Sequence, residues 1–335
     1  MRESDIRPRD LFETYLRLSA KDAKMFFGDA SGFHHRPCPG CGDDRFEAPF
    51  EKQGFTFGRC GACGTLYANP VPSADALGRF YSEAPSQTYW AKTFFPAVRE
   101  ARREMIFRPR VLAIREQARE QGVDVAGGRV VDVGAGAGIF LQECKAAGFG
   151  ASFGAIEPTP ELADACAAAG FDVFRGLSDR ACKEAVWANK ADLVTSFEVI
   201  EHTVAPADFL AGLGKLVRPG GLLVVTGVCG TGFDILTLGA RSNSVSPPHH
   251  LTFLSRQGAA AAAERAGLTL AAFRTPGRLD VDIVRSALKD DDRAVTDPFL
   301  RHLLKTGSED TLAALQTLIA DHQLSSHMWL VLRRS

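Results

Sequence analysis

Asp132-Val133-Gly134-Ala135-Gly136-Ala137-Gly138 sets an acidic side chain two residues before three glycines at alternate positions. The apolar pair Val130-Val131 precedes it, and a helical stretch from Ile139 to Ala147 follows. A strand running into such glycines and then a helix is a nucleotide-type βα turn, where the missing Cβ lets the backbone fold tightly and approach a ligand. The dinucleotide fingerprint puts its third glycine three positions after the second, and Ile139 stands there instead. Glu157 closes the next apolar run, Ala151 to Ile156. It falls about 20 residues beyond the turn, where an acidic residue meets ribose hydroxyls in folds of this kind. A generic Rossmann turn that binds NAD or nothing is the competing interpretation.

A second constellation is Cys38-Pro39-Gly40-Cys41-Gly42 and Cys60-Gly61-Ala62-Cys63-Gly64, with eighteen residues between the pairs. Each CxxCG makes a tight knuckle, and two knuckles supply four thiolates in a tetrahedron, the pattern of structural zinc. A redox CxxC is the alternative, but it would need no partner knuckle. With four thiolates, zinc keeps no open position, so we assign Cys38, Cys41, Cys60 and Cys63 a folding role and no catalysis. Cys144, Cys166, Cys182 and Cys229 are scattered and read as small core residues.

Two further groups carry imidazoles. Phe197-Glu198-Val199-Ile200-Glu201-His202 ends an apolar strand, and ligands in α/β sheets sit beyond such ends. Glu198, Glu201 and His202 are able either to hold a divalent cation or to cap the next helix. His202 is a candidate general base because imidazole titrates near neutrality. Pro247-Pro248-His249-His250-Leu251-Thr252-Phe253-Leu254-Ser255 leads into another helix, with Ser255 as its N-cap.

The elements positioning these groups alternate. Apolar strands are expected at 129–133, 151–156, 171–174, 191–197 and 221–228, with helices at 138–147, 159–169, 178–187, 206–217 and 255–266. Near-continuous apolar strands between amphipathic helices imply an α/β fold with a parallel, doubly wound sheet. Leu268 to Phe273 and Met328 to Leu332 suit two closing strands, separated by helices near 281–290, 297–306 and 309–322. A helix over Asp10 to Phe27 precedes the cysteine ribbon, whose hairpin is expected at Phe46 to Phe50 and Gly54 to Phe57. A charged helix over Ala97 to Gln121 should break or kink at Pro109. The expected organisation is a helical segment 1–37, a zinc ribbon 38–72, a helical linker 73–125, a ligand-binding domain 126–274, a helical insertion 275–326 and a final strand 327–335.

With 335 residues the chain can bury a full core, and 39 basic against 40 acidic residues leave a net charge of −1. No broad polyanion-binding field follows from that balance. Within 38–63, Arg45, Lys52 and Arg59 are outnumbered by Asp43, Asp44, Glu47 and Glu51, which speaks against a ribbon that grips nucleic acid. No stretch reads as a signal peptide or a membrane span, so a cytoplasmic enzyme, with oligomerisation open, is the expectation.

The Asp132 turn and its glycine spacing resemble motif I of the class I S-adenosylmethionine (SAM) methyltransferases, and Arg218-Pro219-Gly220-Gly221 before an apolar strand is similar to a recurrent feature of that class. The run from Phe197 to His202 resembles motif IV of the subgroup containing the ubiquinone-biosynthesis O-methyltransferases, and the Pro248-to-Ser255 run is similar to the same subgroup. The resemblance implies a Rossmann-like sheet and SAM as cofactor. Asp132, Gly134, Ala135, Gly136 and Gly138 would shape the methionine end, Glu157 would hold the ribose and Phe197 would sit beside the cofactor. Glu198, His202 and His250 are then the catalytic candidates. In some members the residues matching Glu198, Glu201 and His202 form a divalent-metal cluster. Deoxysugar C-methyltransferases also join a cysteine-rich module to this fold, but their Tyr/His set is replaced here by Pro247 and Pro248, which favours O- or N-methylation. The architecture resembles bacterial surface-polysaccharide and nucleotide-sugar enzymes, implying a sugar, nucleotide-sugar or glycan-precursor acceptor, with a quinone-like or phenolic metabolite second. The alternative is a silent SAM-binding scaffold.

Overall fold

Alternation of apolar strand and amphipathic helix is what the computed structural model shows for residues 2–334. Three strands come first: β1 (Phe46–Lys52), β2 (Phe55–Cys60) and β3 (Leu66–Ala68). Then follow β4 (Arg129–Val133), β5 (Ser152–Glu157), β6 (Asp172–Arg175), β7 (Ala191–Phe197) and β8 (Val217–Val228). The short β9 (Thr252–Phe253) and the pair β10 (Thr269–Arg274) and β11 (His327–Arg333) complete the set.

A seven-stranded sheet has the order β10-β11-β8-β7-β4-β5-β6. β4 to β8 pair in parallel and β10 pairs antiparallel with β11, so the last strand returns as a reversed hairpin partner. β4 and β7 lie at the centre with nearly every side chain buried, because helices cover both faces of a parallel sheet. This is a Rossmann-like α/β fold of the class I methyltransferase type, and the strand order reverses beside β4.

The chain divides into two compact units. One comprises Glu100–Gly227, Ala259–Arg274 and Trp329–Ser335; the other takes the residues up to Arg99, Val228–Gly258 and Thr275–Met328. Thus the N-terminal helix, the ribbon and the 275–326 insertion, expected as separate pieces, are gathered with the segment Val228–Gly258 from the middle of the chain.

In the sheet-containing unit, Val111, Ile114, Val130, Phe140, Leu141, Leu193 and Leu222 belong to one apolar core. Pro109 does not break its helix. A π-helical turn, Arg103–Phe107, precedes it and the α-helix Arg108–Glu120 continues, so the missing proline N–H falls in the first turn of a new register. The helix expected over 178–187 is a single turn, Ser178–Ala181. Beyond it the chain folds into turns that bury Trp187 against β5, where a Cβ on Gly154 would meet its ring at 2.7 Å. Burial of one indole outweighs helix continuation.

In the other unit β1, β2, β3 and β9 form a four-stranded sheet. Residues 66–68 are its third strand, and the fourth comes from residues 252–253. Phe80 and Phe94 are fully buried there, and Trp90 stacks on Phe94 at 4.4 Å, so these aromatics are core. The helices Asp280–Asp290, Pro298–Thr306 and Glu309–Asp321 enclose a further core of Val281, Val284, Leu304, Leu312 and Ile319.

Candidate cofactor site and thiolate cluster

Strand β4 delivers Asp132 to the end of the sheet, and register sets it opposite Thr195 of β7. The Thr195 hydroxyl donates to Asp132 Oδ1 at 2.7 Å. Asp132 is 2% exposed, and burial raises its carboxyl to about 7 despite Thr195 and the nearby Arg110, which both favour the charged form. A buried carboxyl that titrates near neutrality is suited to an incoming cation.

All three turn glycines lie in the left-handed region, with φ of 72° at Gly134, 55° at Gly136 and 70° at Gly138. A Cβ on Gly134 would also meet Val199 at 2.8 Å, whereas space beside Gly136 is open. The glycine pattern is therefore imposed by backbone conformation, and at Gly134 by packing too. Gly134 and Ala135 N–H groups reach the Ile156 carbonyl at 2.9 and 3.4 Å, anchoring the turn to β5.

Glu157, the last residue of β5, accepts the Gly136 N–H at 2.8 Å on one oxygen and the Thr159 N–H at 2.9 Å on the other. Burial raises its carboxyl while these two amides oppose the shift. Each oxygen retains a lone pair, so the group can also accept from a pair of hydroxyls. The turn, Asp132 and Glu157 thus fit a ligand with a cationic end and a diol.

Phe197 meets Phe140 edge-on at 4.7 Å, and the Arg110 guanidinium lies over its ring at 4.4 Å. Glu198 has a positive φ of 56° and accepts the Thr226 hydroxyl at 2.6 Å and Arg110 at 3.5 Å. Glu201 is buried and its Oε2 has no hydrogen-bond partner, so burial, with Glu198 nearby, holds its carboxyl well above the usual range. His202 ends a 3-10 turn, Ile200–His202, half-buried.

Arg110 and Thr195 were not singled out from the sequence. The signal for Arg110 was its alignment with Ile114, Gln117 and Ala118 on the buried stripe of its helix. That for Thr195 was its place two residues before Phe197, matching the register of Asp132.

In the other unit, Cys38, Cys41, Cys60 and Cys63 bring their sulfurs within 4.8 Å of one another. Cys38 and Cys63 are 3.6 Å apart and Cys41 and Cys60 3.5 Å. Sulfurs about 2.3 Å from a central ion fall at such separations, so the four residues fit tetrahedral zinc. Gly42 and Gly64, with φ of 83° and 75°, close the knuckles by donating to the Cys38 and Cys60 carbonyls. Hydrogen bonding between Cys38 and Cys63 pulls the Cys63 thiol down and pushes Cys38 up. The remaining cysteines are buried, as expected.

His250 Nδ1 is bonded to the Ser244 carbonyl at 2.7 Å, which fixes its ring. The adjacent His249 is buried beside Phe80, Tyr15 and Tyr81, and desolvation lowers it to about 3.

A seven-stranded sheet with a reversed terminal hairpin and an acidic, glycine-rich turn at the end of β4 defines a class I methyltransferase fold. The family described as Methyltransferase domain matches residues 100–272, just over half of the sequence, and the chain belongs to it. Ubiquinone biosynthesis O-methyltransferases of Xanthomonas oryzae pv. oryzae are 30% identical over 111 residues, covering 31% of this chain and 44% of theirs. The chain therefore spans less than half the length of those relatives. Among solved structures, Haemonchus contortus Phospholethanolamine N-methyltransferase 2 superposes with a TM-score of 0.49 at 14% identity, covering 86% of this chain and 71% of that one. A Mesorhizobium loti S-adenosylmethionine-dependent methyltransferase gives 0.42 at 13% identity, covering 65% and 96%. Among the described residues no helix is long and apolar enough to cross a membrane.

Proposed function

We propose that the protein is a SAM-dependent methyltransferase that moves the sulfonium methyl to an oxygen or nitrogen of a small molecule in the cytoplasm. The observation carrying this reading is the pair of buried carboxylates flanking the glycine turn, with Glu157 bonded to the turn amide at Gly136 by 2.8 Å. Asp132 would face the methionine ammonium, Glu157 the ribose diol, and Gly134, Ala135, Gly136 and Gly138 the cofactor backbone. Phe197 and Arg110 would line the pocket. SAM supplies the activated methyl group; this chain's residues bind and align it, exclude water and hold the acceptor's proton.

His202 and His250 are the proposed bases, one or other taking the acceptor proton. Glu198 is proposed as a positioning group, because its carboxylate already engages Thr226 and Arg110. An O-acceptor is favoured by the similarity to the Xanthomonas oryzae enzymes. A sugar, nucleotide sugar or glycan precursor of surface polysaccharide is the first acceptor class, resting on the cysteine module joined to this fold. Zinc at the four thiolates is proposed as structural.

Calorimetric titration of the zinc-replete chain with SAM, and separately with NADH, tests the reading. Micromolar SAM binding without NADH binding supports it; a folded chain that ignores SAM would leave a scaffold role in its place.

A further inference from the structure

Within its own unit, the second cysteine knuckle is fastened to the histidine-bearing segment 249–258 by contacts that a self-contained ribbon has no need of. The Ser255 hydroxyl donates to the Cys63 carbonyl and accepts the Gly258 N–H at 2.9 Å. One hydroxyl therefore joins a metal-ligand residue to the first turn of the helix Arg256–Arg265. Thr65 Oγ1 stands 3.2 Å from Cys63 Sγ and accepts the Ser255 N–H at 3.4 Å. β3 pairs with β9, and the Arg36 guanidinium donates at 3.2 Å to both the Ala68 and Leu251 carbonyls.

Glycines let the two parts touch. A Cβ on Gly258 would lie 2.0 Å from Thr65 Oγ1, and one on Gly40 of the first knuckle would lie 2.9 Å from the Gly258 Cα. One on Gly230 would lie 2.6 Å from the Phe253 carbonyl oxygen. Both knuckles are thus moulded against the segment that begins with His249 and His250.

We propose that metal held by Cys38, Cys41, Cys60 and Cys63 positions the His249–Gly258 segment, so that the ribbon sets the histidines as well as folding itself. The inference rests on the proposed metal occupancy of the thiolates. Two knuckles whose own small core is the four cysteines with Tyr67 and Phe46 lose their conformation when the ion leaves. The Cys63 carbonyl and Thr65 hydroxyl then no longer stand where Ser255 and Gly258 need them.

Hydrogen exchange of the full chain, zinc-loaded and after chelation, is the test. Exchange in peptides covering 249–258 should rise about tenfold or more with that of the ribbon, while β4 and β5 stay protected. Retained protection in 249–258 beside a loosened ribbon would overturn the proposal. Elemental analysis separates the two readings: a purified chain without metal at the thiolates overturns the metal reading and this one with it.

Gly258→Ala supplies a second arm that avoids chelation. Alanine strengthens a helix that stands alone. Here its methyl strikes Thr65, so zinc should pass to a chelator about tenfold faster. A higher melting temperature with unchanged zinc release would refute the coupling.

Discussion

The Thr195 hydroxyl donates to Asp132 Oδ1 at 2.7 Å across two adjacent parallel strands, so the buried carboxylate of the candidate site is held by its register partner. Replacing Thr195 by Val removes the bond and keeps the shape. The hydroxyl favours the charged carboxylate, so its loss raises the Asp132 carboxyl further. We expect SAM affinity at neutral pH to fall about tenfold, with about 1–2 kcal/mol lost from fold stability. Calorimetry and denaturant melts read the two effects separately.

Cofactor binding should depend on pH through Asp132. Its folded carboxyl titrates at about 7, against about 3.9 in an unfolded chain. Its contribution to stability is therefore complete below about pH 4 and is lost as pH rises through about 7. A bound ammonium favours the carboxylate, so binding should release a proton below neutrality. Affinity should climb by up to about tenfold between about pH 6 and 7 and level off above. Titrations in buffers of different ionisation enthalpy count the proton, and Asp132→Asn should abolish the slope.

Glu157→Gln tests the ribose role. One oxygen can still accept a single amide, but the new NH2 opposes the other of Gly136 and Thr159. A loss of about 1–3 kcal/mol in turn stability is expected, with SAM affinity down by about ten- to a hundredfold. Unchanged affinity would dismiss Glu157 as a cofactor ligand.

Arg110 is buried against Phe197 and beside Glu198. A lysine there keeps the charge but neither the planar stack nor the fork. Arg110→Lys should therefore lower the melting temperature and SAM affinity nearly as much as Arg110→Ala. Rescue of both by lysine would show that charge alone suffices.

His249 predicts an acid-side effect of opposite sign to Asp132. Tyr15, Phe80 and Tyr81 surround it, Ser86 and Gln87 approach its nitrogens at 3.4 Å, and His250 is the nearby titratable neighbour. Its folded value near 3 lies below the unfolded one, so stability is lost as pH falls from about 6.5 toward 3. His249→Phe should lose about 1–2 kcal/mol less than the parent between about pH 7 and 5 in denaturant melts.

Much of the sheet was legible because its signals are local. β4 and the turn at Gly134 to Gly138 follow from an apolar run ending in glycine, β7 follows from an apolar run ending at Phe197, and the CxxCG pairs announce a four-thiolate cluster by spacing alone. Periodicity likewise located the helices between residues 280 and 321. Tertiary packing decided what lies far apart in sequence. Thr195 faces Asp132 through strand register, and Arg110 reaches Phe197 because its helix turns a guanidinium into the core. Trp187 halts a helix in order to bury its ring. The segment 252–253 becomes the ribbon's fourth strand because β3 has an unpaired edge and Arg36 bridges both backbones. Spacing fixes which groups an element carries, but only the packing of elements against one another decides which of those groups meet.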